Sequence, residues 1–300
     1  GHCVETVIIR HRPPAGREAR PEGQEAPPGA GDGDRQRRTT LCVSSQVGCQ
    51  MGCKFCATGT MGIVADLTAG EILEQLAHAM ETDPVRNVVF MGMGEPLNNF
   101  DAVMQAVDLM TSNKVFGLSP QHVTVSTVGV IPRIRQLAQR APKVNLALSL
   151  HAPNQDLRVE IVPSARGNPL GRLMAAVTAW QEETEKKVLV EYVVLAGIND
   201  SPSHAVELGE LLADLDVIVN FIPWNPTEAG EDLGYKAPEK GAVLEMQRIL
   251  REGFDVMCTV RQEFGQEING ACGQLVLNKK GSPAAPAVKD IEDMCASLTT

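Results

Sequence analysis

The feature that most constrains the fold of this chain is a regular alternation of two apolar patterns between residues 41 and 222. Apolar runs with the length of strands recur there, and the stretches between them carry apolar residues every three or four positions, as one face of a helix does. The predicted strands are 41–43, 87–91, 122–127, 144–150, 187–195 and 217–222. The predicted helices are 69–80, 101–112, 131–140, 170–183 and 204–212, followed by a helix at 242–252 and a strand at 255–260.

This alternation predicts an α/β fold. Strands that are separated by helices form parallel sheets with right-handed crossovers. Six strand–helix units match an open, partial (βα)6 barrel better than they match the eight units of a closed barrel. We therefore expect a partial barrel of parallel strands, with a short strand before it and a carboxyl-terminal extension after it.

Composition divides the chain into four segments. Residues 1–10 contain a short strand at 4–10, and residues 11–38 are rich in Pro, Gly and Arg with almost no apolar side chains, which is typical of a disordered loop. Residues 39–280 form the predicted barrel core, and residues 281–300 form a tail. The chain begins at Gly1 without an initiator methionine or a signal-peptide pattern, so we expect it to be part of a longer protein.

Composition also narrows the setting of the protein. No apolar run reaches the length of about 20 residues that crosses a bilayer, so we expect no membrane association. The eight cysteines favour a reducing compartment; we expect the cytoplasm and leave a plastid or a mitochondrion open. The net charge of −10 does not favour a nucleic-acid partner, but a local basic patch would be enough to bind one.

Three cysteines lie close together in the sequence, with the spacing Cys49-x3-Cys53-x2-Cys56. Thiolates are the usual ligands of iron–sulfur clusters, and a four-iron cluster normally takes four of them. A cluster held by these three would keep one iron without a protein ligand. Half of a zinc site or three buried structural cysteines are alternatives, although zinc sites usually pair two short arms and no second arm is present here.

The cysteine spacing, with the aromatic Phe55 before the last thiol, resembles the radical S-adenosylmethionine (SAM) superfamily. This resemblance implies a radical SAM barrel with a 4Fe–4S cluster, whose open iron is chelated by the amino and carboxylate groups of SAM. An electron from the cluster then cleaves the sulfonium to a 5'-deoxyadenosyl radical.

Small and polar residues follow nearly every predicted strand. In parallel α/β folds the active groups collect at the carboxyl ends of the strands. The glycines in the 92–96 loop allow the backbone to approach a ligand closely. Glu95 can accept a hydrogen bond from the ammonium group of a ligand, or it can cap a helix instead. Polar residues at the other strand ends are Ser126, Ser149, His151 and Asn225.

Two cysteines outside the cluster motif stand in polar or glycine-rich surroundings. Cys42 lies seven residues before Cys49, and Cys272 is flanked by Gly270 and Gly273. Flanking glycines leave a thiol approachable, which favours a reactive cysteine at position 272.

Segments in the same order along most of the chain resemble the RlmN/Cfr family of radical SAM RNA methyltransferases, and its RlmN members more closely than Cfr. These segments are 40–59, 90–98, 126–129, 148–153, 191–200, 220–226 and 271–275. The resemblance implies methylation of carbon 2 of an adenosine in large-subunit ribosomal RNA; bacterial members of the family also methylate some transfer RNAs, and the sequence leaves that second substrate open.

The resemblance also implies a role for each matching residue. Cys49, Cys53 and Cys56 would ligate the cluster. SAM would be held by strand-end residues, namely Gly94, Glu95, Ser126, Ser149, Leu150, His151 and Asn225. Three further residues would carry out the methyl transfer, namely Cys272, Cys42 and Glu5.

In the implied reaction, Cys272 is methylated by one SAM, and a second SAM supplies the radical that takes a hydrogen from the methyl group. The carbon radical adds to the adenine, and Glu5 removes the ring proton. Cys42 then attacks the sulfur of Cys272, which releases the RNA and forms a transient disulfide. The implied partners are the RNA and an external electron donor such as flavodoxin or ferredoxin, with the protein acting as a monomer.

Three alternatives remain open at this point. They are a Cfr-like enzyme that methylates carbon 8, a non-catalytic iron–sulfur relative that binds RNA, and a radical SAM enzyme that modifies a peptide or a small molecule. The pair of Cys42 and Cys272 argues against the last two, because neither needs two reactive thiols outside the cluster. The loop at 11–38 is longer than the turn usual at this place in the family, so the sequence leaves the position of Glu5 open.

Overall fold

A computed structural model of the chain describes residues 2–11, 38–261 and 273–275. The strands in this part of the chain are β1 Val7–His11, β2 Arg38–Cys42, β3 Gln46–Cys49, β4 Gly62–Asp66, β5 Val85–Phe90, β6 Val123–Thr127, β7 Asn145–Ser149, β8 Val188–Val194, β9 Val217–Pro223 and β10 Met257–Val260. The α-helices are α1 Ala57–Met61, α2 Ala69–Thr82, α3 Phe100–Thr111, α4 Ile131–Arg140, α5 Gln155–Ile161, α6 Leu170–Thr184, α7 Pro202–Leu212, α8 Glu228–Asp232 and α9 Lys240–Phe254. Two 3-10 turns lie at Pro120–His122 and Pro163–Arg166.

The main sheet has eight strands in the order β1-β2-β5-β6-β7-β8-β9-β10. From β2 to β10 every neighbouring pair is parallel. The sheet curls into a half-barrel with β1 and β10 at its two ends, which confirms the predicted open barrel of parallel strands. Strands β3 and β4 form a separate antiparallel hairpin.

Strand β1 is the one antiparallel member of the main sheet within the described ranges. It pairs with β2 from Val7 opposite Cys42 to His11 opposite Arg38. Both His11 and Arg38 are therefore strand residues, and the loop predicted at 11–38 is shorter by one residue at each end. The rest of that predicted loop lies outside the described residues, as does everything after residue 275.

The core explains why the predicted strands and long helices are found within a few residues of their expected bounds. Parallel strands are covered by helices on their faces, so they consist of nearly continuous apolar runs. In β8, for example, all but one of the seven residues are buried. Helix α2 begins with a capping box, in which the Glu71 amide donates to Thr68 Oγ1 and the Thr68 amide donates to Glu71 Oε2.

The hairpin β3–β4 and the short helices α1, α5 and α8 were not predicted. Each spans only four to seven residues, which is too short for an apolar period to show. Of these elements, β3 and α5 contribute Cys49 and Ile161 to a second apolar cluster beside the main core, which also contains Cys53 of the cysteine motif. Two of the elements that the sequence pattern missed, β3 and α1, contribute residues to the pocket described below, namely Cys49, Thr58 and Gly59.

None of the helices in the described ranges is long and apolar enough to cross a bilayer.

Candidate active site

A pocket opens at the carboxyl ends of the parallel strands. Its lining includes most residues that the strand-end pattern predicted: Cys49, Cys53, Cys56, Gly94, Glu95, Ser126, Ser149, His151 and Asn225. Trp224 and Gly273 line the same pocket. The fold therefore gathers side chains that are up to 226 positions apart in the sequence around one cavity, from Cys49 to Leu275.

The three cysteines lie on a tight loop between β3 and α1. Cys49 is the last residue of β3, and Cys56 is the residue immediately before α1. The Cys56 amide donates to the Cys53 carbonyl oxygen at 3.2 Å. A Cβ atom at Gly59 would lie 2.7 Å from the Cys53 carbonyl oxygen and 2.9 Å from its nitrogen, so only glycine allows the first turn of α1 to pack this closely against the loop.

Two hydrogen bonds attach the cysteine loop to the rest of the barrel. The Lys54 amide donates to the Ile161 carbonyl oxygen at the end of α5, at 3.0 Å. Trp224 Nε1, which follows β9, donates to the Phe55 carbonyl oxygen at 3.0 Å. The loop is therefore held between two elements that are far apart in the chain.

Burial controls the charge of the three thiols. It raises the pKa of Cys49 to about 12 and raises the pKa values of Cys53 and Cys56 as well. Thiolates in such a place need a positive centre beside them, and a bound metal deprotonates a coordinating thiol outright. The donor set therefore fits a cationic metal cluster better than it fits three free thiolates.

No three His, Cys, Asp or Glu side chains in the described ranges are placed to hold a single metal ion. A four-iron cluster takes one thiolate for each iron, so its ligands need not converge on one point. Three thiols around one pocket, with no fourth on the same loop, fit a cluster that leaves one iron open.

Glu95 joins two of the loops that line the pocket. Its Oε1 accepts from the Leu97 amide at 3.0 Å, and its Oε2 accepts from the Val128 amide at 2.9 Å. The side chain is buried, which raises its pKa to about 7. The carboxylate is therefore positioned rigidly and would gain a partner from a cationic group, such as the ammonium of an amino-acid moiety.

Two hydroxyls and one imidazole line the middle of the pocket. Ser126 Oγ lies 3.2 Å from Ser149 Oγ across β6 and β7. His151 Nδ1 accepts from the Val193 amide at 3.1 Å, so the ring is neutral with its proton on Nε2. Burial, together with the charge of Arg158, lowers the pKa of His151 to about 3. These groups offer hydroxyl and imidazole donors to a polar ligand.

Gly94 and Asn225 line the pocket, but Leu150 does not. Gly94 has φ +100, and a Cβ atom there would lie 2.6 Å from Gln46 Cβ. The Leu150 side chain is fully buried in the main core. Its amide donates to the Glu191 carbonyl oxygen, and its carbonyl oxygen accepts from Arg158 Nε.

Cys42 and Glu5 lie at the first parallel strand. Cys42 is the last residue of β2 and is buried. The Glu5 carbonyl oxygen accepts from Ser44 Oγ at 2.6 Å, two residues after Cys42. Both residues therefore lie near the carboxyl end of β2, but neither is among the residues that line the pocket.

Cys272 lies outside the described residues, but the three residues after it are described. The Ala57 amide donates to the Gly273 carbonyl oxygen at 2.8 Å, and Thr58 Oγ1 donates to the Leu275 carbonyl oxygen. Gln274 Nε2 donates to the Pro226 carbonyl oxygen at 2.9 Å. This segment is thereby attached directly to α1, beside Cys56.

No disulfide joins any two of the six cysteines in the described ranges, namely Cys3, Cys42, Cys49, Cys53, Cys56 and Cys258. The predicted transient pair of Cys42 with Cys272 is not tested, because Cys272 is not described.

Two buried polar residues of this region did not follow from the sequence patterns. Gln75 lies on the core-facing side of α2 among apolar residues. A polar residue at such a position predicts a buried side chain with hydrogen-bond partners, so the sequence did contain a signal for Gln75. Arg158 lies in α5, which is too short to be predicted, so the sequence carried no signal for its burial.

The chain is similar to known proteins over most of this region. Residues 43–208 match the family model of the radical SAM superfamily. The ribosomal RNA large subunit methyltransferase N of Nitrosopumilus maritimus (strain SCM1) is 45% identical over 243 residues, which are 79% of this chain and 68% of that protein. The probable dual-specificity RNA methyltransferase RlmN of Desulforudis audaxviator (strain MP104C) is 41% identical over 277 residues, which are 92% of this chain and 78% of that protein.

Solved structures show the same relationship. A radical SAM methyltransferase from Sphaerobacter thermophilus superposes with a TM-score of 0.76 at 44% identity, over 79% of this chain and 70% of that one. SuiB of Streptococcus suis, in a crystal structure bound to S-adenosylmethionine, superposes with a TM-score of 0.53 at 15% identity, over 76% of this chain and 54% of that one. The second likeness shows the fold alone.

The matched domain, the similar proteins and the three-thiol pocket agree with one another. Radical SAM proteins use a 4Fe–4S cluster and SAM, and the donor set of the pocket fits both groups. The chain belongs to the radical SAM superfamily and, within it, to the RlmN family of RNA methyltransferases.

Proposed function

We propose that this chain methylates carbon 2 of an adenosine in large-subunit ribosomal RNA, and in transfer RNA as well. The names of its relatives carry this substrate class, since they are ribosomal RNA or dual-specificity RNA methyltransferases. The structural observation that carries the proposal is that the segment directly after Cys272 is hydrogen-bonded to α1, beside the three-thiol loop, and lines the same pocket.

The pocket residues divide between the two cofactors. Cys49, Cys53 and Cys56 hold the cluster. Six further lining residues bind SAM, together with the backbone at Leu150; they are Gly94, Glu95, Ser126, Ser149, His151 and Asn225. When bound, the two groups supply the one-electron chemistry that an adenine carbon–hydrogen bond requires, because that bond is neither acidic nor nucleophilic.

Residues outside the cluster loop decide which reaction follows. The Cys272 thiolate accepts the methyl group, and Glu5 removes the proton from the ring carbon. The Cys42 thiolate then attacks the Cys272 sulfur, and a sulfur–sulfur bond forms as the bond from that sulfur to the transferred carbon breaks. The electron pair of the broken bond stays with the carbon, which takes up a proton and becomes the methyl group. Support for these roles comes from the position of Glu5 and Cys42 at the carboxyl edge of β2.

The target base must leave the folded RNA to reach this pocket. The pocket is recessed at the strand ends, and a base inside a helix cannot enter it without being splayed out. The proposal therefore includes a flipped adenosine. We further propose that a flavodoxin or ferredoxin reduces the cluster, that the protein acts as a monomer, and that it works in the cytoplasm.

The deciding experiment is mass spectrometry of protein purified with its cluster intact. A methyl group on Cys272, lost in Cys272→Ala, is the expected result, together with 2-methyladenosine in digests of RNA treated with the wild type. Cys258→Ala is the matched control, because it removes a thiol on β10 that does not line the pocket. An unmodified Cys272 with unchanged RNA methylation by Cys272→Ala would refute the mechanism, and 8-methyladenosine in the digest would assign the Cfr-type reaction instead.

A further inference from the structure

Arg158 is the one lysine or arginine side chain that is buried among the described residues. It lies in α5 with 0% of its surface exposed. Taking a guanidinium out of water costs several kcal/mol unless hydrogen bonds and an opposite charge compensate. A buried arginine therefore requires hydrogen-bond acceptors and a negative charge close to its guanidinium group.

Backbone carbonyl oxygens supply part of that compensation. Arg158 Nε donates to the Leu150 carbonyl oxygen at 3.1 Å, and Nη2 donates to that of Val128. A weaker contact joins Nη2 to the Ser149 carbonyl oxygen at 3.5 Å. Carbonyl oxygens carry only partial charges, so the full positive charge of the side chain is not neutralised.

The remaining nitrogen, Nη1, is buried and has no hydrogen-bond partner in the described part of the chain. None of the ion pairs found in the described ranges joins Arg158 to a carboxylate. An unpaired buried donor costs about 1–3 kcal/mol, and more when it is charged. The structure thus leaves both a donor and a charge of Arg158 uncompensated.

The cysteine loop lies next to this side chain. Helix α5 ends at Ile161, whose carbonyl oxygen accepts from the Lys54 amide at 3.0 Å. Burial raises the pKa of Cys53 well above its usual value, and the charge of Arg158 opposes that rise. Although burial lowers the pKa of Arg158 itself to about 10, the guanidinium remains charged at neutral pH.

We infer that Arg158 is the counter-charge of the iron–sulfur cluster, acting from behind the pocket lining, with Nη1 donating to the sulfur of the cluster ligand Cys53. The inference rests on the proposed binding of the cluster by Cys49, Cys53 and Cys56. It explains the buried cation, the unpaired donor and the nearness to Cys53 together. This role of Arg158 does not depend on which RNA the protein methylates.

This role has an electrostatic consequence. Each thiolate ligand brings a negative charge, and one-electron reduction of the cluster adds another. A buried cation with a hydrogen bond to sulfur stabilises the reduced form more than the oxidised form, so it raises the reduction potential. Arg158 therefore makes the cluster easier to reduce by its electron donor.

Two measurements on the cluster-loaded protein test this inference. The first is a redox titration, followed by the electron paramagnetic resonance signal of the reduced cluster, on the wild type, Arg158→Gln and Arg158→Lys. We expect a more negative potential in Arg158→Gln and a value closer to the wild type in Arg158→Lys, which keeps the charge. Arg166→Gln is the matched control, because it removes the same charge from an exposed position near the end of α5 and should leave the potential unchanged.

The second measurement uses wild-type protein alone, so it does not depend on whether a variant folds. Protein is grown with 15N-labelled arginine, and pulsed electron paramagnetic resonance of the reduced cluster is recorded. We expect a weak hyperfine coupling to 15N, which is absent from the unlabelled sample. A loaded cluster without that coupling overturns the inference, as does an unchanged potential in a folded, cluster-loaded Arg158→Gln. Failure of wild-type protein to hold iron would instead count against the proposed function.

Discussion

Val7 lies directly opposite Cys42 in the antiparallel pair formed by β1 and β2. Because β1 runs against β2, the residues before Val7 continue past the carboxyl end of β2, and Glu5 reaches the edge where the pocket opens. At the other end of the pair, His11 lies opposite Arg38. The long segment between His11 and Arg38 therefore begins and ends at the edge opposite the pocket, and its length does not change the position of Glu5.

The register of this pair leads to a prediction for Glu5. The Glu5→Gln variant should lose about 100-fold or more in RNA methylation, which is the usual contribution of a general base. The hydrogen bond from Ser44 goes to the backbone carbonyl oxygen of Glu5, so this variant keeps it. Methylation of Cys272, measured by mass spectrometry, should continue in this variant. Equal RNA methylation by Glu5→Gln and wild type would exclude Glu5 as the base.

Cys42 should be needed only to release the product. In Cys42→Ala, RNA should remain covalently attached to the protein, because no thiol attacks the sulfur of Cys272. Denaturing gel electrophoresis with labelled RNA measures the adduct, and Cys258→Ala should show none. A Cys42→Ala protein that turns over freely without adduct would show that another group resolves the intermediate.

Gln75 connects the segment that carries Glu5 to the loop after β2. Its Oε1 accepts from Thr6 Oγ1 at 2.7 Å and from the Ser44 amide at 2.8 Å, and its Nε2 donates to the Ser44 carbonyl oxygen at 2.9 Å. Gln75→Leu leaves these buried groups unpaired, so we expect a loss of about 3 kcal/mol in the free energy of unfolding. Urea denaturation measures it.

The matched control for Gln75 is Glu74→Ala, an exposed neighbour on α2. It should change the free energy of unfolding by about 0.5 kcal/mol or less. A Gln75→Leu protein as stable as this control would mean that the segment at 4–6 is not held by Gln75.

Gly59 should be required for the cluster. In Gly59→Ala, the new Cβ atom would overlap the backbone of Cys53, so the loop must shift and the three thiols lose their arrangement. We expect reduced iron content and a weaker absorbance of the cluster after reconstitution. Gly253→Ala in α9 is the control, because a Cβ atom there meets nothing within 4 Å. Full iron loading of Gly59→Ala would show that the loop tolerates the shift.

His151 should make the protein less stable in acid. Its pKa is about 3 in the folded state and 6.5 in the unfolded state, because burial and the charge of Arg158 disfavour the imidazolium. Below pH 6.5 the unfolded chain binds a proton that the folded protein does not, so the free energy of unfolding falls by about 1.4 kcal/mol for each unit of pH. Urea denaturation at pH 7.0 and 5.5 measures this loss.

The variant His151→Asn should show a smaller loss between the same two pH values. Asparagine tolerates the positive φ of 63° at this position and does not titrate. Glu95, whose raised pKa of about 7 acts in the opposite direction, is present in both proteins and cancels in the comparison. Identical slopes in the two proteins would show that His151 is not buried in its neutral form.

Sequence by itself determined the barrel. The parallel strands are buried on both faces and so appear as continuous apolar runs, while each helix is buried on one face and so carries an apolar residue every three or four positions. It also determined the cysteine loop and most of the strand-end residues, since a parallel sheet brings the carboxyl ends of its strands to one edge. Only the tertiary structure decided the position of Glu5, which depends on the register of β1 against β2. Tertiary structure likewise decided the burial of Arg158 beside Cys53. Arg158 lies on a helix of seven residues, and contacts with distant strands bury it. Such contacts produce no periodic pattern in the sequence.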